Sequence, residues 1–135
     1  MVADGCFTWG DTNLVSVDKV QNHKGVVVGC SGDLGHSRTA HRWFADGQSQ
    51  TDRPDIPRDS VDVMALDRDG TIWIGCGDLL LTPVTSGFMA IGSGKELALG
   101  AMAAGADAYE AVRIACRFDP FTREPVFGVT NQEAA

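Results

Sequence analysis

Val61-Asp62-Val63-Met64-Ala65-Leu66-Asp67 alternates, imperfectly, between apolar and polar side chains, and after Arg68-Asp69-Gly70 the chain resumes as Thr71-Ile72-Trp73-Ile74-Gly75-Cys76. Successive side chains of a strand point to opposite faces, and glycine accepts the positive φ of a tight turn, so this stretch predicts a β-hairpin. Working toward the N-terminus, Leu14 to Val20 and Val26 to Cys30 flank the polar Gln21-Asn22-His23-Lys24-Gly25 and read as a second hairpin. Toward the C-terminus, Leu79 to Val84 and Phe88 to Ile91 read as short strands around Thr85-Ser86-Gly87, and Val126-Phe127-Gly128-Val129 as a last one.

Helical patterns separate these runs. Leu34 to Phe44 contains no proline, and Leu34, Ala40, Trp43 and Phe44 share one face. Ala45 to Asp59 is polar, carries Pro54 and Pro57, and reads as a surface connection. Ser93-Gly94-Lys95-Glu96 and Asp107-Ala108-Tyr109-Glu110 both fit the capping box, in which an N-cap oxygen is followed three residues later by Glu. The first opens an Ala- and Gly-rich helix from Leu97 to Ala104. The second opens a helix with an apolar stripe at Ala108, Ala111, Val112, Ala115 and Cys116, ended by Asp119-Pro120. Hairpins without βαβ alternation predict an α+β layered sandwich, one domain over residues 1–135, with helices on the outer faces of antiparallel sheets.

Composition narrows the function. At 135 residues, 44% hydrophobic and 21% charged, the chain is long enough for a core without staples. A formal charge of −7 with scattered Lys and Arg argues against nucleic acid. Apolar runs such as Val26 to Val28 and Leu79 to Leu81 fall far short of the roughly 20 residues that cross a bilayer. Met1-Val2-Ala3-Asp4 lacks the pattern of a secretory signal, and Cys6, Cys30, Cys76 and Cys116 form no CxxC pair, so the expectation is a reducing, cytoplasmic compartment with the thiols as small buried hydrophobes.

Several site motifs fail on their own chemistry. Gly94-Lys95 lacks a P-loop's first glycine, with Met89 in its place, and has Glu96 where Ser or Thr binds magnesium. Asp67-Arg68-Asp69-Gly70 opens like a calcium loop but runs into the apolar Ile72-Trp73-Ile74. His23, His36 and His41 show no metal-ligand spacing, and nothing in their spacing makes them a base for Cys6. No cofactor and no metal is expected.

Ala90-Ile91-Gly92-Ser93-Gly94, followed by an Ala-rich helix and a second helix opening at Asp107, resembles the segment after the central hairpins of HslV-type peptidases and their phage-encoded relatives. Val2-Ala3-Asp4-Gly5 looks like their second strand, Asp18-Lys19-Val20 matches their active-site lysine, and Val28-Gly29-Cys30-Ser31-Gly32-Asp33 their Gly-rich loop before the first helix. Each motif is weak alone; together they run collinearly over nearly the whole chain. The resemblance is to the HslV and proteasome β-subunit type of N-terminal-nucleophile (Ntn) hydrolase. It implies a four-layer αββα sandwich, homo-oligomeric rings of six or seven subunits, sometimes stacked, and threonine-type endopeptidase activity on peptide or protein substrates.

Carried over residue by residue, the resemblance implies that Lys19 supplies an ammonium, Asp4 the carboxylate that orients it, Gly32 a backbone N–H for the oxyanion, and Ser93 a hydroxyl supporting the nucleophile's amine. The nucleophile has no counterpart: relatives begin with Thr well before the position of Asp4, whereas Met1-Val2-Ala3 offers no hydroxyl or thiol. As written the chain is expected to be inactive. An upstream start, a pseudoenzyme and a trimmed sequence are the competing explanations. Partners implied by the resemblance are an ATP-dependent unfoldase or, for a non-catalytic assembly protein of the same fold, phage structural proteins and a virion-associated location. A non-proteolytic amidase would need an N-terminal Cys or Ser. Without the resemblance, Asp4 and Lys19 read as surface charges, Ser93 as a helix cap, and Gly32 as a turn glycine.

Overall fold

In the computed structural model, which describes residues 1–9, 12–15 and 19–132, the hairpin of the opening stretch forms as expected. Strand β6 (Val61–Leu66) pairs antiparallel with β7 (Ile72–Cys76), placing Asp62 opposite Cys76 and Leu66 opposite Ile72. Its turn closes through Gly70 N to Asp67 O at 3.1 Å, with Gly70 at φ +90°. The N-terminal hairpin differs from its expected bounds: Leu14 to Val20 contributes to two strands, and Gln21 to His23, expected in the turn, belong to the second of them. Thr12–Val15 is β3, pairing with β2 (Cys6–Trp9), and Val20–His23 is β4, pairing with β5 (Val26–Gly32) about Lys24-Gly25; residues 16–18 lie outside the described residues. With β8 (Thr82–Val84), a five-stranded antiparallel sheet runs β4-β5-β6-β7-β8. A separate two-stranded ladder joins β1 (Val2–Ala3) to β9 (Phe127–Gly128).

Two predicted strand segments do not form. Phe88 to Ile91 has no strand; Ala90 instead buries against Ala98 and Ala111. Leu79 to Leu81 is also outside β8, because Leu79 turns back at φ +57°, bonds its N–H to Cys76 O at 3.0 Å, and is 2% exposed within the core. Ala90 and Leu79 fill cores, while Leu80 is 60% exposed, and periodicity over so few residues cannot separate such a plug from a buried strand.

Helix α1 (Leu34–Ala45) starts at Asp33, whose side chain accepts from His36 N at 2.8 Å. Ala40, Trp43 and Phe44 pack on Val28, Val61, Val63 and Ala65, so the face of the large sheet carrying those residues is covered by α1. The connection after α1 is mostly exposed, with Ile56 anchored in the same core. His41 is buried and its Nδ1 lies 3.0 Å from His23 Nε2, joining α1 to β4. On the opposite face of the sheet, a Cβ at Gly29 would lie 2.8 Å from Met1 Sδ, so the start of the chain packs there.

Helices α2 (Lys95–Ala103) and α3 (Ala108–Phe118) pack together through Ala98 and Ala111, where small side chains permit close approach. Asp107 caps α3 as expected, accepting from Glu110 N at 2.8 Å. The predicted stripe is buried at Ala111 and Ala115, half-buried at Val112 and Cys116, and exposed at Ala108. The box at Ser93 does not form: the N-cap of α2 is Gly94, with no side-chain cap bond. Gly100, exposed and with open space around its α-carbon, costs helix propensity and serves no packing, so Gly100→Ala is expected to stabilise the protein by about 0.5–1 kcal/mol in urea unfolding. Among the described residues no helix is long and apolar enough to cross a membrane. The four cysteines are free; Cys6 is buried and the other three are half-buried, with the Cys30 thiol pushed up to about 12 by desolvation.

Candidate functional site

Asp4 follows β1 directly, and Lys19 immediately precedes β4. Their side chains meet: Lys19 Nζ lies 2.7 Å from Asp4 Oδ1. The other carboxylate oxygen accepts two backbone N–H groups, Cys6 at 3.0 Å and Arg123 at 2.9 Å. Gly5 N also donates to Arg123 O at 2.8 Å, and a Cβ at Gly5 would strike Pro125 Cδ at 2.6 Å, so the chain after β1 lies tight against the segment leading to β9. Asp4 thus ties three segments together while holding an ammonium that is 27% exposed. A cation held this way lowers the proton affinity of any amine placed beside it and stabilises nearby negative charge.

Gly32 ends β5 at φ +120°, where a Cβ would lie 2.2 Å from Ser60 O; no other residue fits. Cys30 N donates to Lys19 O at 3.4 Å, and strand parity turns the Gly32 N–H toward the same side of β5. The position opposite Gly32 on that side falls outside the described residues.

Ser93 sits between two glycines that the packing requires. Gly92 adopts φ +97° with Ser31 Oγ 3.2 Å from where its Cβ would be, and a Cβ at Gly94 would approach Thr122 Oγ1 at 2.8 Å and Ala115 at 3.0 Å. The Ser93 hydroxyl, released from capping, donates to Asp119 Oδ2 at 2.5 Å. The same carboxylate accepts from the Thr122 hydroxyl and, through Oδ1, from Phe121 N at 3.4 Å. Burial works to raise the Asp119 pKa, but the hydrogen bonds from Ser93, Thr122 and Phe121 together outweigh it and hold the carboxyl below its ordinary range. Neither Asp119 nor Thr122 carries a site signal in the sequence, where Asp119-Pro120 reads as a helix stop. The three-residue spacing of a carboxylate and a hydroxyl signals a local turn, but the bond to Ser93 spans 26 positions and has no local mark.

Cys116, on α3, feels the charges of both groups. Its thiol pKa is raised first by burial and then by the charges of Asp4 and Glu124, opposed in part by Lys19. No hydrogen bond among the described residues joins the Asp4–Lys19 pair to Ser93–Asp119. The described residues hold no cluster of three or more His, Cys, Asp or Glu side chains fit for a metal ion.

Because the Asp119 carboxyl is held below its unfolded value of 3.8, the network contributes stability above that pH and loses it as pH falls through the lower folded value. Titrating Asp119 by carbon NMR is expected to show the depression, and Ser93→Ala to move the midpoint upward. A midpoint unchanged by the substitution would mean that the Ser93 bond does not form in solution.

The class that these observations define is an α+β domain of antiparallel sheets with, among the described residues, three α-helices and a lysine–carboxylate pair beside a Gly-rich strand end. The structure of Thiobacillus denitrificans BPH in complex with epoxomicin is similar to it, with a TM-score of 0.73 and 20% identity over 93% of this chain and 88% of that one. A second structure of Thiobacillus denitrificans BPH gives a TM-score of 0.71 at 19% identity with the same coverage. At such identity the likeness speaks for the fold. No family model and no curated protein matches the sequence.

Proposed function

We infer that this domain is an HslV- or proteasome-like peptidase subunit of the Ntn-hydrolase type, built as a four-layer αββα sandwich and assembling into rings. The observation that carries it is the Asp4–Lys19 pair: two charges 15 residues apart in sequence, with both carboxylate oxygens engaged. Support for the layering comes from α1 over one face of the large sheet and from Met1, just before β1, against Gly29 on the other.

In this reading a hydroxyl nucleophile at a processed N-terminus attacks a peptide carbonyl, and its proton passes to the adjacent α-amine. Lys19, oriented by Asp4, keeps that amine unprotonated by electrostatic repulsion, and Ser93, fixed by Asp119, supports it by a hydrogen bond. The Gly32 N–H receives the oxyanion. Collapse expels the amine product, taking the proton, and water hydrolyses the resulting ester. Met1, Val2 and Ala3 carry no hydroxyl, so in this reading the nucleophile is an N-terminal Thr outside the sequence given.

Epoxomicin, bound in the Thiobacillus denitrificans structure, is the probe. Intact-mass analysis of the protein isolated from its native source, with and without epoxomicin, is expected to show residues before Met1 and a one-to-one adduct. A native chain beginning at Met1 or Val2, with no adduct and no peptide cleaved, would sink the enzymatic reading and favour an assembly protein on the same fold.

A further inference from the structure

Strand β4 lies at one edge of the five-stranded sheet, with β5 as its ladder partner among the described strands, and Lys19 immediately precedes it. Its last residue, His23, is half-buried and meets His41 of α1, Nε2 to Nδ1 at 3.0 Å. The ring centroids are 5.3 Å apart, the N···N separation plus about the two ring radii, so the nitrogens point at each other. Such a head-on pair suits one shared proton; a chelated ion would need both lone pairs turned toward a common third point.

A neutral imidazole has one donor and one acceptor nitrogen, whereas an imidazolium has two donors. The contact therefore holds in a neutral or singly protonated pair and fails when both rings are charged, because two N–H groups then face each other. The surroundings resist that second charge. His41 is 6% exposed. The other ionisable side chains on the elements packed there are His36, Arg38 and Arg42 on α1, Cys30 on β5, and Lys24 in the β4–β5 turn, whose carbonyl accepts from Arg68. No carboxylate lies on α1, β4 or β5; Asp33 and Asp46 stand at the two caps of α1, and Asp33 accepts from the His36 amide.

We propose that the His23–His41 contact is an acid-released clasp between α1 and β4, which opens when both rings are protonated and frees the strand that sets the place of Lys19. The pair takes up its two protons in separate steps. Burial holds the His23 pKa below its ordinary 6.5. With the folded value below the unfolded one, this contribution to stability is complete above pH 6.5 and is lost as pH falls from there to the lower folded value. The clasp needs no turnover, so it stands apart from the peptidase reading.

The test follows the full chain from about pH 7.5 to about pH 4.5. Imidazole nitrogen NMR is expected to show the pair titrating in two steps, the second below 6.5. Amide exchange, corrected for its intrinsic pH dependence, is expected to show the ladder amides of β4 losing protection by roughly tenfold or more across that second step, while the β6–β7 hairpin keeps its own. In His23→Gln the new side chain does not titrate and its amide oxygen accepts from a charged or neutral His41, so β4 is expected to stay protected in acid and most of the fall in urea midpoint to vanish. In His23→Phe the bond is absent at every pH, and β4 is expected to be as poorly protected at neutral pH as the unsubstituted protein is in acid. Two independent titrations at ordinary histidine values, or β4 amides equally protected at both ends of the range, overturn the proposal. So does a His23→Gln protein whose stability falls with acid as much as that of the unsubstituted chain.

Discussion

Gly32→Ala is expected to lower stability by about 3–4 kcal/mol, close to the upper end of single-substitution effects. Two costs combine. The residue sits at φ +120°, which L side chains rarely adopt, and its new Cβ would lie 2.2 Å from Ser60 O and 3.1 Å from Val61 Cα, both backbone atoms at the start of β6. Backbone so placed yields only if the end of the β5–β6 ladder opens, which would also disturb the start of α1. Gly47 provides the control, at φ +96° with nothing within 4 Å of its would-be Cβ, so Gly47→Ala meets only the conformational cost of about 1–2 kcal/mol. Urea unfolding of the two variants separates the terms. A Gly32→Ala loss no greater than that of Gly47→Ala would show that β5 and β6 do not approach as described.

Asp4→Ala is expected to cost about 3 kcal/mol, and Lys19→Met about 1. The asymmetry follows from what each change abandons. Without the carboxylate, the Cys6 and Arg123 amides lose their acceptor and Lys19 its counter-ion; without the ammonium, Asp4 keeps both amides. Asp4→Asn should fall between, since one carbonyl oxygen cannot serve three donors. A double-mutant cycle of Asp4→Ala and Lys19→Met, read by chemical denaturation, is expected to show coupling, as residues in direct contact do. Additive effects would mean the pair is not formed in solution. If the domain is a peptidase, either substitution also abolishes cleavage, including Lys19→Met, whose fold is little affected.

The two glycines around Ser93 show where local reading stops. Ser93-Gly94-Lys95-Glu96 satisfies the capping-box pattern, yet the hydroxyl goes to Asp119 because Gly92 and Gly94 let the segment fold against Thr122 and Ala115. A short-range pattern lost to a long-range acceptor that no spacing rule marks. The same competition explains Leu79 and Ala90, apolar residues in short runs that fill cores instead of extending strands. By contrast, the cap at Asp107 and the turn at Gly70 form as expected, since the residues that make them lie within four positions of each other.

Local chemistry in the sequence was enough for the β6–β7 hairpin, α1 and α3, the antiparallel α+β class, and, through a resemblance, the choice of Asp4 and Lys19. Tertiary structure alone decided that those two side chains meet and that Ser93 joins the Asp119–Thr122 turn. Hydrogen bonds and ion pairs between distant segments depend on how the sheets and helices stack. That stacking is set by burial summed over the whole core, which no short window of sequence contains.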